Sequence, residues 1–210
     1  TPGQRQWRNM DSFKAFYKLE KLSEAELETE MAGRLSAQKE FAEKHRRAIL
    51  ELMKNRPVPL ASHDDTTAEH VEEGRMDGIS ISEFPTTLEA ARAARAVGMG
   101  IVMGAPNVVR GGSHSGNVSA LELAQEGLLD ALSSDYMPTS LLHAAFVLHE
   151  RADMALPNAI ATVTSNAAHL LNLKDRGEVL PGKRADLIQV RLSQTTPVVR
   201  LVWRQGERVL

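Results

Sequence analysis

Cysteine is absent from these 210 residues, which removes disulfides, thiolate metal sites and cysteine nucleophiles together. No apolar run approaches the roughly 20 residues needed to cross a bilayer. Excess charge is also missing, since 25 Lys and Arg face 27 Asp and Glu. With no basic face, the chain lacks the electrostatic footprint of a nucleic-acid binder. It opens on Thr1-Pro2-Gly3-Gln4, without methionine and without a signal-peptide pattern. That start fits a processed or trimmed chain, or numbering restarted inside a longer one. The remaining expectation is a cytoplasmic protein with no membrane or nucleic-acid partner.

Residues 11–54 are charged, rich in Glu, Lys and Ala, and periodic. Ser23 and Glu26 have capping-box spacing, and Phe41, Ile49, Leu50 and Met53 can line one face of a long helix. No chemistry is visible in that stretch. We take 1–57 as a barrel strand exit with a helical excursion, 58–172 as four strand–helix units, and 173–210 as C-terminal strands.

From Val58 onward short apolar strands at about 58–62, 79–82, 100–103 and 129–134 alternate with helical segments at about 67–76, 87–97, 118–126 and 138–150. Thr86 with Glu89, and Ser119 with Glu122, have capping-box spacing at two helix starts. Such alternation predicts an α/β fold with a parallel sheet, either open and doubly wound or closed as a barrel. A closed barrel needs eight strands and typically about 250 residues, so four units predict part of one. Residues 185–190 and 198–210, with Gly206 in a hairpin-like turn, read as a small antiparallel piece.

Polar residues recur at one place in this pattern. His63 in Ser62-His63-Asp64-Asp65-Thr66-Thr67 follows the first strand, Glu83 ends the second, Asn107 follows the third and Asp135 follows the fourth. Parallel strands send their C-termini the same way, so these side chains are expected at one mouth. Asp135 there can bind a metal or take a proton from metal-bound water, or it can simply cap the next helix. The run Ala105–Asn117 holds Asn107, Arg110, Gly111, Gly112, Ser113 and His114. Two glycines with open N–H groups beside an arginine, near a helix start, make a candidate cradle for phosphate oxygens. His45, His149 and His169 fall in helical stretches and carry no comparable signal, and His70 and His143 are expected at the surface.

Near the end, Asn166-Ala167-Ala168-His169-Leu170-Leu171 precedes Gly177-Glu178-Val179-Leu180-Pro181-Gly182-Lys183-Arg184-Ala185-Asp186-Leu187. These two runs resemble the closing signature of the amidohydrolase superfamily, where the chain leaves a metal-bearing barrel for a small β-sandwich. "SHDDTT", "SEFPTT", "MGAPNVVRGGSHSGN" and "SSDYMP" together resemble the branch of that superfamily that works in phosphonate metabolism, in the carbon–phosphorus lyase pathway.

The resemblance implies the C-terminal part of a metal-dependent (β/α)8 barrel of the TIM type, ending in a small β-sandwich portion. It implies a diphosphatase that hydrolyses a ribose-linked triphosphate to the 5-phosphate and diphosphate. The implied cofactor is a divalent metal, zinc first, with manganese, iron or magnesium as alternatives. His63 and Asp135 are the implied ligands, and Asp135 is also the candidate catalytic residue. Glu83, standing where many members have a second late histidine, is a further ligand candidate. Asn107, Arg110, Gly111, Gly112, Ser113 and His114 would bind a small phosphorylated substrate.

Members of that branch also carry an earlier half with an HxD-type metal motif (HxH in most of the superfamily), absent from these residues, so a molecule beginning at Thr1 is expected to be inactive alone. Hydrolysis of a cyclic amide and a non-catalytic interaction subunit are the alternatives, and a homo-oligomer stays open.

Overall fold

The computed structural model describes Arg5 and residues 10–113 and 116–210. The chain divides into two compact units, residues 1–58 and 59–210.

The first unit is helical. Helix α1 spans Met10–Tyr17, a single 3-10 turn covers Leu19–Lys21, and α2 runs 30 residues from Glu24 to Met53. Ser23 and Glu26 form the expected reciprocal capping box, which satisfies two N–H groups that helix geometry leaves unpaired. Phe13 is fully buried. The Arg34 guanidinium sits 5.4 Å from its ring centroid and 4.7 Å from that of Tyr17. The expected apolar face of α2 buries nothing among the described residues, and Phe41 and Ile49 are exposed. Its periodicity sustains the helix without supplying a core.

The second unit begins with strand β1 (Ala61–His63), helix α3 (Ala68–Met76), β2 (Ile81–Glu83), α4 (Leu88–Ala96), β3 (Gly100–Gly104) and α5 (Ala105–Arg110). It continues with α6 (Ala120–Gln125), β4 (Ala131–Ser133), α7 (Ser140–Arg151), α8 (Leu156–Ala161) and α9 (Ser165–Leu170). It ends in β5 (Leu187–Ser193), β6 (Thr196–Arg204) and β7 (Glu207–Arg208). The four predicted strands form one parallel sheet in the order β1-β2-β3-β4. This order contains no reversal, whereas a doubly wound sheet turns on one. β5, β6 and β7 make a separate antiparallel sheet, with Gln205 and Gly206 both at positive φ in the turn before β7.

Alternation along the short strands separates two faces. Ile101, Met103 and Leu132 belong to a core with Val71 of α3, Leu123 of α6 and Leu148 of α7. Helix α4 joins this core through Ala90, Ala91 and Ala94, small residues that admit close packing. On the other face Ala61 pairs with Ile81 and Val102 with Ala131, and Glu83 pairs with Val102 between them. Thr87, rather than Thr86, caps α4 by accepting from the Ala90 N–H. Ser119 caps α6 through the Glu122 N–H. Two short helices, α8 and α9, lie in the stretch after 150, and α9 is the helical stretch expected around His169.

The last parallel elements are held by specific fits. Asp130 accepts from the Ile101 N–H at 2.7 Å and from Arg95 at 2.9 Å, while Asn166 donates to the Asp130 carbonyl at 2.9 Å. Gly177 has φ 93°, and a Cβ placed there would lie 2.9 Å from Ala168 Cβ and 3.0 Å from the Ser165 Cα. Gly182, at φ 84°, has nothing within 4 Å of that position. Gly177→Ala should therefore cost about 3 kcal/mol or more, combining backbone strain with a contact against main chain. Gly182→Ala should cost only about 1–2 kcal/mol. Urea midpoints at constant m-value check the difference, and equal losses would contradict it.

Candidate active site

The site is built at the C-terminal ends of the parallel strands. His63 closes β1 and Glu83 closes β2, and the two are register partners. Their side chains meet, with His63 Nδ1 2.9 Å from Glu83 Oε2. An ionised carboxylate can only accept, so Nδ1 carries the proton in this pair. The other ring nitrogen, Nε2, lies 3.4 Å from Asp64 Oδ2. The edge of Phe84 meets the imidazole at 5.5 Å between centroids. His63 is 61% exposed at its side chain and therefore accessible at the mouth.

A backbone device recurs at these strand ends. Asp64, Phe84 and Asp135 have φ of 58°, 56° and 49°, the left-handed region that residues with a Cβ seldom enter. In two cases the ladder runs one residue past the strand, with Asp64 N–H donating to Glu83 O and Phe84 N–H to Val102 O. The chain then turns sharply away, leaving His63 and Glu83 as the last side chains on their face. Asp135 lies two residues past the end of β4. Its Oδ2 would stand 3.1 Å from a Cβ built on Gly104, the last residue of β3. His63, Glu83 and Asp135 thus share the C-terminal edge of the sheet.

Below that edge a buried network holds the loops, and Asp65 is its centre. Asp65 is fully buried and accepts from the hydroxyls of Ser62 and Ser82, the latter at 2.9 Å. Its carbonyl accepts from the Thr86 N–H at 2.8 Å. Thr86 Oγ1 donates to Thr66 Oγ1 at 2.9 Å, and Thr87 Oγ1 to the Thr66 carbonyl at 2.7 Å. Thr66 N–H in turn donates to His70 Nδ1 at 3.2 Å. The loops after β1 and β2 are therefore one hydrogen-bonded body. The motif stands out in the sequence for its histidine, and nothing in its spacing distinguishes Asp65, the centre of the network, from Asp64, which is also buried and lies beside the His63 ring.

The expected phosphate cradle is differently made. Residues 105–110 are helical, so Asn107 lies within α5 rather than on a loop. Asn107 Oδ1 accepts from the Ala120 N–H at 2.9 Å, tying α5 to the start of α6. Gly111 has φ 80° and ends the helix, its N–H donating to Asn107 and Val108 carbonyls. Gly112 N–H donates to the Asn107 carbonyl at 3.0 Å. Both glycine amides are thus engaged by the helix end, as capping requires, and are not open donors. Arg110 is exposed at the last turn of α5, and Ser113 lies just beyond the two glycines. His114 lies outside the described residues.

On the apolar face of the sheet, a cleft of about 460 Å³ is lined by Ile81, Glu83, Val102, Ser133, Leu141 and Leu170, among others. Ser133 Oγ is buried there without a hydrogen-bond partner. Imidazole and carboxylate are donor types that a divalent transition metal takes, and His63, Glu83 and Asp135 carry them at this edge. Among the described residues, however, no three candidate ligands come together into a cage. No described helix is long and apolar enough to cross a membrane.

A sequentially ordered parallel sheet, with histidine and carboxylates at its C-terminal edge, defines an α/β protein whose candidate site lies at the strand ends. The amidohydrolase family pattern matches residues 3–210, and the chain belongs to that family. It is 48% identical over 212 aligned positions to the alpha-D-ribose 1-methylphosphonate 5-triphosphate diphosphatase of Escherichia coli K12, with all of this chain and 56% of that protein covered. The chain thus spans little more than half of that relative's length.

Two solved structures share the fold. The A. niger ochratoxinase has a TM-score of 0.57 at 18% identity, covering 78% of this chain and 44% of that one. The beta-aspartyl dipeptidase of Fervidobacterium islandicum AW-1 has 0.52 at 16%, covering 68% and 43%.

The network makes a direct prediction. Asp65→Ala strips the acceptor from one buried and one half-buried hydroxyl and should cost about 2–4 kcal/mol, with Asp65→Asn costing less. Urea unfolding measures both, and a loss under about 0.5 kcal/mol for the alanine variant would mean that the network carries no weight.

Proposed function

We propose that this chain is the C-terminal part of a metal-dependent (β/α)8 barrel, with its last strands contributing to a small β-sandwich. The enzyme would hydrolyse α-D-ribose 1-methylphosphonate 5-triphosphate to the 5-phosphate and diphosphate, in phosphonate metabolism by the carbon–phosphorus lyase pathway. The carrying observation is the 48% identity over the whole chain to the diphosphatase. The unreversed strand order supports the barrel, because consecutive parallel strands in one direction are how a barrel is wound. The substrate is a small phosphorylated molecule, the compartment the cytoplasm, and a homo-oligomer is compatible with this reading.

His63 through Nε2 and Asp135 through its carboxylate would hold the metal, zinc first, with manganese, iron or magnesium as alternatives. Bound there, a divalent metal would acidify water and polarise a phosphoryl oxygen. Glu83 fixes the His63 ring by accepting from Nδ1, the second carboxylate role that metal-site histidines commonly have. Asp135 takes the proton of the attacking water, whose oxygen bonds to phosphorus as the α–β anhydride bond breaks and diphosphate leaves. Arg110 pairs with phosphate oxygens through its planar guanidinium, aided by Ser113 and His114. Gly111 and Gly112 contribute room, since a Cβ at either would meet nothing within 4 Å. Asn107 positions this loop by bridging to α6.

Two substitutions in the full polypeptide as encoded test this reading. Asp135→Asn keeps shape but loses charge and basicity. Turnover should fall roughly 10²–10⁴-fold with the melting temperature little changed. Near-wild-type turnover would remove Asp135 from the reaction; α7 begins at Ser140 with Thr139 as its N-cap, so the expected capping role does not fall to Asp135. Arg110→Ala should weaken triphosphate substrates about ten- to a hundredfold. A well-folded variant with unchanged KM and kcat would remove Arg110 from the site. Turnover of cyclic amides in preference to triphosphates would overturn the assigned reaction.

A further inference from the structure

The backbone at the end of β3 does not itself call for glycine. Gly104 has φ −74° and ψ 128°, an extended conformation open to every L-residue. It is buried, and it is paired in register with Ser133 of β4. A glycine within a strand forgoes packing and commonly marks the close approach of another group. Here that group is Asp135. The three atoms nearest to a Cβ built on Gly104 are all in its side chain: Oδ2 at 3.1 Å, Cβ at 3.5 Å and Cγ at 3.7 Å. The left-handed turn at Asp135, with φ 49°, brings its carboxylate back over the end of the neighbouring strand.

We propose that Gly104 is a positioning residue for Asp135, its missing side chain being the seat in which the carboxylate rests. This rests on the reading of Asp135 as the residue that takes the proton of the attacking water. A methyl group at 104 would press on the carboxylate oxygen and displace it by a few tenths of an ångström. The displaced group is the mobile end of a side chain, so the fold can absorb the change while the reaction geometry cannot. Folding has something to gain as well, because Gly→Ala at a compatible φ reduces the entropy of the unfolded chain. Stability and turnover should therefore move in opposite directions.

The test uses the full polypeptide, with melting temperature and steady-state hydrolysis of the ribose triphosphate as readouts. Gly104→Ala should lower kcat about ten- to a hundredfold with KM unchanged, as small misplacements of a reacting group do. Its melting temperature should be unchanged or higher. In an Asp135→Asn background the same substitution should cost less than about twofold in kcat, because the two positions act through one carboxylate. In an Asp135→Ala background, where the carboxylate contact is gone and only the ordinary Cβ contact remains, the thermal gain from Gly104→Ala should be larger than in the wild type.

An equal loss of kcat with and without the Asp135 carboxylate would overturn the proposal, as would wild-type kcat in Gly104→Ala. If Gly104→Ala fails to fold, the double variant with Asp135→Ala decides: recovery sustains the proposal and continued unfolding overturns it. An Asp135→Asn enzyme with full turnover would overturn the underlying role of Asp135 and this inference together. An inactive Asp135→Asn beside an active Gly104→Ala would overturn this inference alone.

Discussion

The buried Asp65 carboxylate governs the geometry of the mouth. Moving a carboxylate out of water is costly, and only a ring of donors offsets that cost. Ser62 and Ser82 supply donors from the helix-facing side of β1 and β2, and Thr86 donates its backbone N–H to the Asp65 carbonyl. These contacts fix two loops relative to each other immediately after the strands that present His63 and Glu83. The imidazole–carboxylate pair at 2.9 Å depends on that fixation, since both side chains stand at exposed strand ends and would otherwise be free to part.

Above this network, the sheet edge works by abrupt exits. Three residues with a Cβ occupy left-handed backbone just past β1, β2 and β4. Phe84 is the most costly of them, as a bulky residue has no local hydrogen bond to recover the strain, whereas aspartate tolerates this region better. Strain of this kind persists only where the surroundings over-determine it, and it concentrates at functional sites. Its effect here is to end each strand on a polar side chain without a further residue to cover it. Across the sheet, the cleft beside Ser133 is lined mainly by apolar side chains, with Glu83 reaching it from the same edge.

The loop after β3 shows how helix formation can redirect an expected binding element. Once Ala105–Arg110 becomes helical, its end must find donors for its last carbonyls, and Gly111 and Gly112 provide them. The amides that the glycine pair could have offered to phosphate are consumed by the chain itself. Arg110 then stands as the cationic group of that segment, held at the last helical turn rather than on a free loop.

Much of this architecture was legible in the residues. Apolar runs bounded by turn residues, and capping spacing at Ser23 and Ser119, located the strands and helices because those signals are local. The placement of His63, Glu83 and Asp135 after successive strands came from the common direction of parallel strands. Local signals could not show that Asp65 is the network carboxylate while its likewise buried neighbour Asp64 approaches the His63 ring, because that division depends on hydroxyls 17 and more residues away, in β2 and beyond. Nor could they show that Thr86 serves the network while Thr87 caps α4, or that Asn107 spends its oxygen on α6. By itself the sequence determined the parallel α/β fold, the strand ends and the polar residues set upon them. Only the tertiary structure decided which of those residues face the mouth and which are buried supports, because hydrogen bonds between distant segments are assigned only when the segments pack.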